Sequence, residues 1–301
     1  MQHKEIKIDA GSLRELTDHR TVVLPLACYE TVIKQNIHGH IPLHWHTELQ
    51  FVYVVQGTAV FRINEVQQVV KQGEGIFINS GSLHMAEDRH HSGSVYICLN
   101  VSPSFVLPQE LYTTYVYPYI HATNLPFLFL APSEPWTLRI LSSIEAINTC
   151  IKLQSPYYEI HIVEHLASIW RNFMQNGMVL EYNQAETRKN QRMKEMLNWL
   201  HMHYAEKIKL EDIAKAGNLS RSETCRYFKQ ILNTSPMQYV IDYRIKQSLV
   251  LLHDPESSVT DVGYRVGFNS TSYFIDKFRD AMNMTPLTYK NQVPRQKDIS
   301  P

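Results

Sequence analysis

One helical sentence is written twice in the last third of the chain, about fifty residues apart. The first copy runs Leu210-Glu-Asp-Ile-Ala, then Leu219-Ser-Arg-Ser, then Phe228-Lys. The second runs Val259-Thr-Asp-Val-Gly, then Phe268-Asn-Ser-Thr-Ser, then Phe278-Arg. Beyond each unit, Asn233, Ser235, Pro236 and Tyr239 are answered by Asn283, Thr285, Pro286 and Tyr289, each at a shift of fifty. A solenoid needs at least about three repeats to bury its faces. Two copies of a short helical unit predict instead one domain that grips something at two places.

Each copy reads as a helix, a tight turn and a second helix. In the first, Leu210, Ile213 and Ala214 keep helical spacing, and Gly217-Asn218 supply residues that tolerate a left-handed turn. Ser220 with Glu223 three positions on is a capping-box pattern. The next helix sets Thr224, Phe228 and Ile231 on one apolar stripe and Ser222, Cys225, Arg226 and Lys229 on another face. In the second copy Gly267 takes the turn, Asn269 or Ser270 caps, one extra residue precedes Phe278, and Phe274 and Phe278 face inward. This is the helix-turn-helix pattern, whose second helix can enter a DNA major groove. A plain pair of α-hairpins is the bland alternative, and matching turns, caps and flanks in both copies weigh against it.

The segment from about Lys189 to Tyr289 resembles the DNA-binding domain of the AraC/XylS family of bacterial transcription regulators. Val266-Gly-Phe-Asn-Ser-Thr-Ser-Tyr-Phe-Ile-Asp-Lys-Phe-Arg, followed by Met284-Thr-Pro-Leu-Thr-Tyr, is similar to that family's signature region. The resemblance covers about a third of the chain. It implies base-reading positions at Ser222, Cys225 and Arg226 in the first copy. In the second they fall on Thr271, Ser272, Ile275 and Asp276, with Ser270 at the start of the helix. Arg221, Arg226, Lys229, Arg244, Lys246, Lys277 and Arg279 are candidates for phosphate or base contact. Arg226 is expected to read guanine, because Arg can bond O6 and N7 together. Asp276 departs from the basic residue expected there and repels phosphate, so the second unit is expected to read DNA more weakly or to serve as support.

Charge agrees with a nucleic-acid module. The chain balances at 29 basic and 29 acidic residues, but residues 1–187 hold 11 Lys/Arg against 17 Asp/Glu and residues 188–301 hold 18 against 12. A basic end on an acidic body fits moderate, salt-sensitive phosphate affinity. Ser235-Pro236 opens a helix that nothing breaks before His253, with Val240, Tyr243, Ile245, Leu249, Val250 and Leu252 as apolar contacts. Such a rod spans about 27 Å. It can hold two recognition helices near the ~34 Å repeat of successive major grooves.

The N-terminal half is strand-rich. Leu49-Gln-Phe-Val-Tyr-Val-Val, Thr58-Ala-Val-Phe-Arg-Ile, Gly75-Ile-Phe-Ile and Ser94-Val-Tyr-Ile-Cys-Leu are β-branched and aromatic, punctuated by turn residues. Short, evenly spaced strands predict an antiparallel sandwich or barrel. His44-Trp-His46, Gln50 and Gly57, then Gly73, Gly81 and His84, are similar in spacing to the two motifs of the cupin family. In metal-binding cupins the ligands are two His, a Glu and a third His. Here Gln50 stands in the Glu position, Asn79 replaces the usual Pro and Asp88 the usual Asn.

A neutral Gln is a poor ligand, and Glu48, of the same strand parity, has the wrong spacing. No metal or other cofactor is therefore expected, and His44, His46 and His84 are the candidate ligands were one to bind. The cluster is expected to hydrogen-bond a small effector instead. His44, His46, Gln50, His84, Tyr53 and Tyr96 are the candidate contacts, and a sugar would suit Trp45, Tyr53, Phe61, Arg62 and Tyr96.

From Pro132 the pattern turns helical. One run follows Ser133 through Ile140, Leu141, Ile144 and Ile147; another follows Ser155-Pro156 through Ile160, Val163, Leu166, Ile169, Trp170 and Phe173. Exposed apolar stripes mark partners, so this pair is expected to form a homodimer interface, with packing on the barrel as the alternative. Glu181 to Gln191 has no apolar period and reads as a linker.

The expected chain is α+β: a cupin-like β-barrel with an N-terminal arm (1–131), a helical dimerisation segment (132–178), a linker (179–190), an all-α domain with two helix-turn-helix units (191–292) and a polar tail (293–301). Cys28, Cys98, Cys150 and Cys225 show no paired spacing, which fits reduced cytoplasmic thiols. No apolar run reaches membrane-span length, and the start lacks a signal peptide's apolar core. The expected function is a ligand-responsive transcription regulator and not an enzyme. Its expected partners are promoter DNA, a small effector (a sugar by preference), a second copy of the chain and, for an activator, RNA polymerase. A metal-dependent cupin enzyme fused to a DNA module, and a constitutive DNA-binding dimer, are the rival readings.

Overall fold

Alternate residues of the strand-rich half feed two different cores. The computed structural model describes residues 6–9, 12–21, 23–36 and 39–292. In it, nine strands form two antiparallel sheets. They are β1 (Leu26–Val32), β2 (His40–His44), β3 (Leu49–Gln56), β4 (Thr58–Ile63), β5 (Val66–Lys71), β6 (Gly75–Ile78), β7 (His84–Asp88), β8 (Val95–Val101) and β9 (Phe127–Leu130). One sheet runs β1-β8-β3-β6-β9 and the other β2-β7-β4-β5. On β3, Val52 and Val54 point between the sheets, where they meet Phe61, Ile76, Tyr96 and Cys98. Leu49 and Phe51, of opposite parity, point outward into a second core. This is the period-2 rule of a strand buried on both faces.

Helices close that outer face. α1 (Gln109–Tyr115) and α2 (Tyr117–His121) precede β9, and α3 (Pro135–Leu153) and α4 (Tyr158–Met174) follow it. Ile140, Ile144, Ile147, Ile162, Leu166, Ile169, Trp170 and Phe173 are all buried with the outward residues of the five-stranded sheet. Phe173 lies 4.6 Å from Phe77 between ring centroids, and Trp170 Nε1 donates to the Tyr115 carbonyl at 2.9 Å. Gly75 is required here, since a Cβ would collide with the Val52 carbonyl and the Leu141 side chain. The stripe expected to face a second copy therefore mostly packs on the chain's own sheet. Ile160 and Val163, from the same run, stay 66% and 46% exposed. Both starts also shift: Glu134 rather than Ser133 caps α3, and α4 begins after a left-handed Tyr157.

Most of the stretch read as a linker, from Gln184 on, is helical. α5 spans Gln184–His203, and the chain divides into its two compact units at Lys189/Asn190, within that helix. Gln, Ala, Glu, Arg and Lys have high helix propensity whatever their polarity. A missing apolar period thus signalled exposure and not the absence of a helix.

In the second unit, α6 (Leu210–Ala216) and α7 (Arg221–Leu232) form the first helix-turn-helix. α8 (Pro236–Leu252) is the connecting rod, and α9 (Val259–Arg265) and α10 (Thr271–Met282) form the second unit before α11 (Pro286–Gln292). The 17 residues of α8 span about 26 Å. Ile245, Leu249 and Leu252 bury against Val262, Phe268, Phe274 and Phe278, whereas Val250 faces away at 65% exposure. In the first turn the left-handed residue is Asn218 (φ 50°), not Gly217 (φ −90°); in the second it is Gly267 (φ 92°). The extra residue of the second copy lies in that turn, so Ser220 and Ser270 cap their helices fifty residues apart. The polar tail expected over 293–301 lies outside the described residues. Among the described residues no helix is long and apolar enough to cross a membrane.

Candidate functional site

The first reading helix is fixed by its cap. Ser220 Oγ accepts from the Glu223 N–H at 3.3 Å while Glu223 Oε2 accepts from the Ser220 N–H at 3.0 Å. These bonds from Ser220 hold the Glu223 carboxyl below its ordinary value. Thr224, Phe228 and Ile231 bury one face of α7, so Arg221, Ser222, Cys225, Arg226 and Lys229 emerge together on the exposed side. Arg221 also pairs with Glu211 of α6 at 3.1 Å. A guanidinium at Arg226 and a short polar or thiol side chain at Ser222 and Cys225 suit base edges, with Lys229 set for phosphate.

The second unit presents a different surface on the same frame. Ser270 Oγ accepts from the Tyr273 N–H at 3.4 Å, and Phe274 and Phe278 anchor α10. Ser272, Asp276 and Arg279 are exposed, while Thr271 and Ile275 are half-buried. Asp276 pairs with Arg279 at 3.1 Å, and Lys277 with Asp280 at 3.1 Å. Two of its basic residues are thus matched by acids of the same helix. Arg244, expected at DNA, is instead structural: its Nε donates to the Tyr204 carbonyl at 2.7 Å and its Nη2 to the Glu206 carbonyl at 2.6 Å.

Between the sheets of the first unit lies a cavity of about 360 Å³. His44, Gln50, His84 and Tyr96 line it, with Phe61, Cys98 and Asn100. Tyr53, expected there, is not part of it. Its odd position on β3 turns it outward into the core beneath the helices. Trp45 and Arg62 are likewise absent from the lining. Glu15, Thr17 and His19 contribute to the wall, and the sequence carried no motif that marked them. Asn79 and Asp88, the departures from the cupin pattern, serve loops. Asn79 Nδ2 donates to the Tyr119 and Leu125 carbonyls at 2.9 Å each, and Asp88 accepts from the hydroxyls of Ser92 and Ser94 at 2.7 and 2.6 Å.

At one end of this space His44 and His84 converge with His46, which was expected at the effector but does not itself line the cavity. All three are 2% exposed, and their ligand nitrogens lie within 4.8 Å of one another. Nδ1 of each meets a main-chain carbonyl: Pro42 at 2.7 Å, Glu48 at 3.0 Å and Ser82 at 2.8 Å. A carbonyl can only accept, so each Nδ1 carries the proton and each Nε2 keeps a lone pair. Nε2 of His46 and of His84 has no hydrogen-bond partner among the described residues. Burial, reinforced by the neighbouring imidazoles, holds His46 and His84 well below the ordinary imidazole value; it also lowers His44, against the pull of Glu15. Neutral imidazoles with Nδ1–H donated to carbonyls and bare Nε2 atoms are the outer-shell arrangement of metal-ligating histidine. The residues present therefore fit a Zn²⁺- or Fe²⁺-like ion, which would supply Lewis acidity or simply order the cavity wall.

Comparison with known proteins follows this division of the chain. A helix-turn-helix domain family matches residues 213–292, and an AraC-like ligand binding domain family matches residues 28–109. The chain is 61% identical to the uncharacterized HTH-type transcriptional regulator YdeC of Bacillus subtilis (strain 168), over 95% of this chain and 98% of that one. It is 25% identical to the HTH-type transcriptional activator RhaS of Klebsiella pneumoniae (strain 342), over 81% and 86% of the two chains. It is also 21% identical to the melibiose operon regulatory protein of Escherichia coli (strain K12), over 95% and 97%.

Proposed function

We propose that this chain, which belongs to the AraC family of HTH-type transcriptional regulators, is a ligand-responsive, sequence-specific one. A small molecule enters the cavity between the sheets and biases how the two helix-turn-helix units meet promoter DNA. The observation that carries this reading is the pairing of a polar-walled cavity of about 360 Å³ with an exposed Arg226 on a capped, rigid α7. A ligand shifts such a system only by the difference in its contacts to two arrangements. In that reading Arg221, Ser222, Cys225, Arg226 and Lys229 do most of the reading. Ser270, Thr271, Ser272, Ile275, Asp276 and Arg279 support it, and His44, Gln50, His84 and Tyr96 touch the effector.

A sugar is the preferred effector. The cavity volume falls in the usual range for small-molecule sites. Its Gln, Asn, His and Tyr groups suit hydroxyls, and one relative is named for a melibiose operon. Activation through RNA polymerase is supported by a relative named as a transcriptional activator. The exposed Leu153, Tyr157, Ile160 and Val163 around the α3–α4 turn support a homodimer contact. Four free thiols fit a cytoplasmic regulator.

A thermal-shift panel of sugars and metabolites tests the reading, because a ligand of the native state raises its melting temperature. The best ligand is expected to change promoter footprinting as well. A panel without a hit, with footprints identical under all conditions, would leave a constitutive DNA-binding protein.

A further inference from the structure

We propose that Glu15, carried by the N-terminal segment, is the carboxylate ligand of a divalent transition metal held by His44, His46 and His84. With an ion bound, the Nε2 atoms of His44 and His84 serve the metal, and Gln50 and Tyr96 are left to contact the effector directly. The barrel strand that offers a carboxylate in metal-binding cupins offers Gln50 here, and the N-terminal segment supplies the missing charge from outside the barrel motifs.

The backbone places Glu15 there. Its N–H donates to the Trp45 carbonyl at 2.8 Å, and the Trp45 N–H donates to the Leu13 carbonyl at 3.0 Å. The segment is thus stitched to the one residue between His44 and His46. Its own pairing, Ile8 with Glu15, turns it into a small hairpin, and Thr17 Oγ1 accepts from the Lys7 N–H at 3.0 Å. The Glu15 side chain is only 3% exposed, and a carboxylate is buried at such depth only with a compensating partner.

Its distance to His44 fits a shared ion. Glu15 Oε2 lies 3.6 Å from His44 Nε2, too far for a hydrogen bond. Two ligand atoms of a tetrahedral zinc-type ion stand ~3.4 Å apart, given bonds of ~2.0–2.2 Å. The Nε2 atoms of His46 and His84 are buried without a hydrogen-bond partner among the described residues and complete the set. Outside it, His19 Nε2 stands 3.1 Å from the same Glu15 oxygen, and His19 Nδ1 meets Asn100 Nδ2 at 3.2 Å. A ligating carboxylate is ordinarily supported by such an outer partner. The three imidazoles, whose ligand atoms lie within 4.8 Å of one another, would be joined by the Glu15 carboxylate drawn in beside His44, and that donor set has a charge and type that suit Zn²⁺, Co²⁺ or Fe²⁺.

The test uses the full chain without a polyhistidine tag, stripped by chelator and titrated with Co²⁺ and Zn²⁺. Calorimetry should give one ion per chain, and the cobalt form should show the visible bands of a four-coordinate site. Glu15→Gln keeps the shape of the side chain and should weaken binding on the order of 10- to 100-fold while altering the cobalt spectrum. His84→Ala should abolish both. If His84→Ala does not fold, X-ray absorption of the wild-type zinc complex counts three imidazoles plus oxygen. Absence of stoichiometric binding, or a Glu15→Gln variant with unchanged affinity and spectrum, overturns the proposal.

Discussion

Asp276 Oδ1 accepts a hydrogen bond from Arg279 Nη2 at 3.1 Å, along one turn of the second reading helix. At the matching position of the first copy stands Arg226, exposed and aimed away from the core. The duplicated frame therefore carries unequal faces. One offers a cation to DNA, and the other spends its cation on its own acid. An exposed pair of this kind contributes ~0–1 kcal/mol to stability, so its consequence lies in binding. Asp276→Asn should tighten promoter DNA binding several-fold at low salt. It should also steepen the dependence of log K on log salt by about one phosphate contact. Fluorescence anisotropy over a salt series measures this, and an unchanged slope would contradict the assignment.

The two turns should respond unequally to the same kind of change. Gly267 sits at φ 92°, and a Cβ there would approach the carbonyl oxygens of Tyr204 and Ala205 at 2.8 Å. Gly267→Ala should cost at least ~1–3 kcal/mol, since backbone cannot yield as a side chain can. Gly217 has φ −90° and meets only the flexible Met196 side chain and, at 3.5 Å, the Arg192 carbonyl, so Gly217→Ala should be milder. Asn218→Gly, at φ 50°, should be tolerated. Denaturant titration of the three variants ranks them.

On the helical pair, stability and association should separate. Trp170 is fully buried, and its truncation to Ala should cost ~3–5 kcal/mol. Ile160 is 66% exposed, so Ile160→Glu should leave the melting temperature within about a degree or two of wild type. If the exposed apolar patch joins two copies, the same variant should sediment as a monomer. A dimer that survives both Ile160→Glu and Tyr157→Glu would place the interface elsewhere.

Acid should erase the contribution of Asp88. Partial burial pushes its carboxyl up, but bonds from Ser94, Ser92 and the Gly93 N–H outweigh this and the net shift is downward. A carboxyl depressed in the folded state stabilises fully above its unfolded value, about 3.9, and loses that contribution as pH falls through the folded value. Asp88→Asn should therefore be less stable than wild type at neutral pH, with the gap narrowing below about pH 4. A gap that stays constant to pH 2 would show that Asp88 acts through shape alone.

The sequence displayed its local codes and hid its long-range ones. Caps at Ser220 and Ser270, and the inward Phe228, Phe274 and Phe278, follow from spacing within one helix, and the structure places them so. β1, β2, β5, β7 and β9 are not among the strands expected from sequence; in β2 and β7 the reason is that His40, Pro42, His44, Glu87 and Asp88 lack the β-branched enrichment that marks strands. Parity failed for Tyr53 because β3 is buried on both faces, and apolar character alone does not say which core takes which residue. Glu15 was illegible for another reason. It reaches His44 through a hairpin stitched to Trp45, and no pattern in a polar N-terminal stretch foretells that pairing.

Footprinting of promoter DNA with wild-type chain and with Arg226→Ala tests the central claim most directly. The account predicts protection of two successive major-groove segments, about one helical turn apart. It predicts that Arg226→Ala loses ~1–3 kcal/mol of discrimination at one base pair while keeping salt-dependent, non-specific binding. Sequence-specific protection that is unchanged in Arg226→Ala would contradict it.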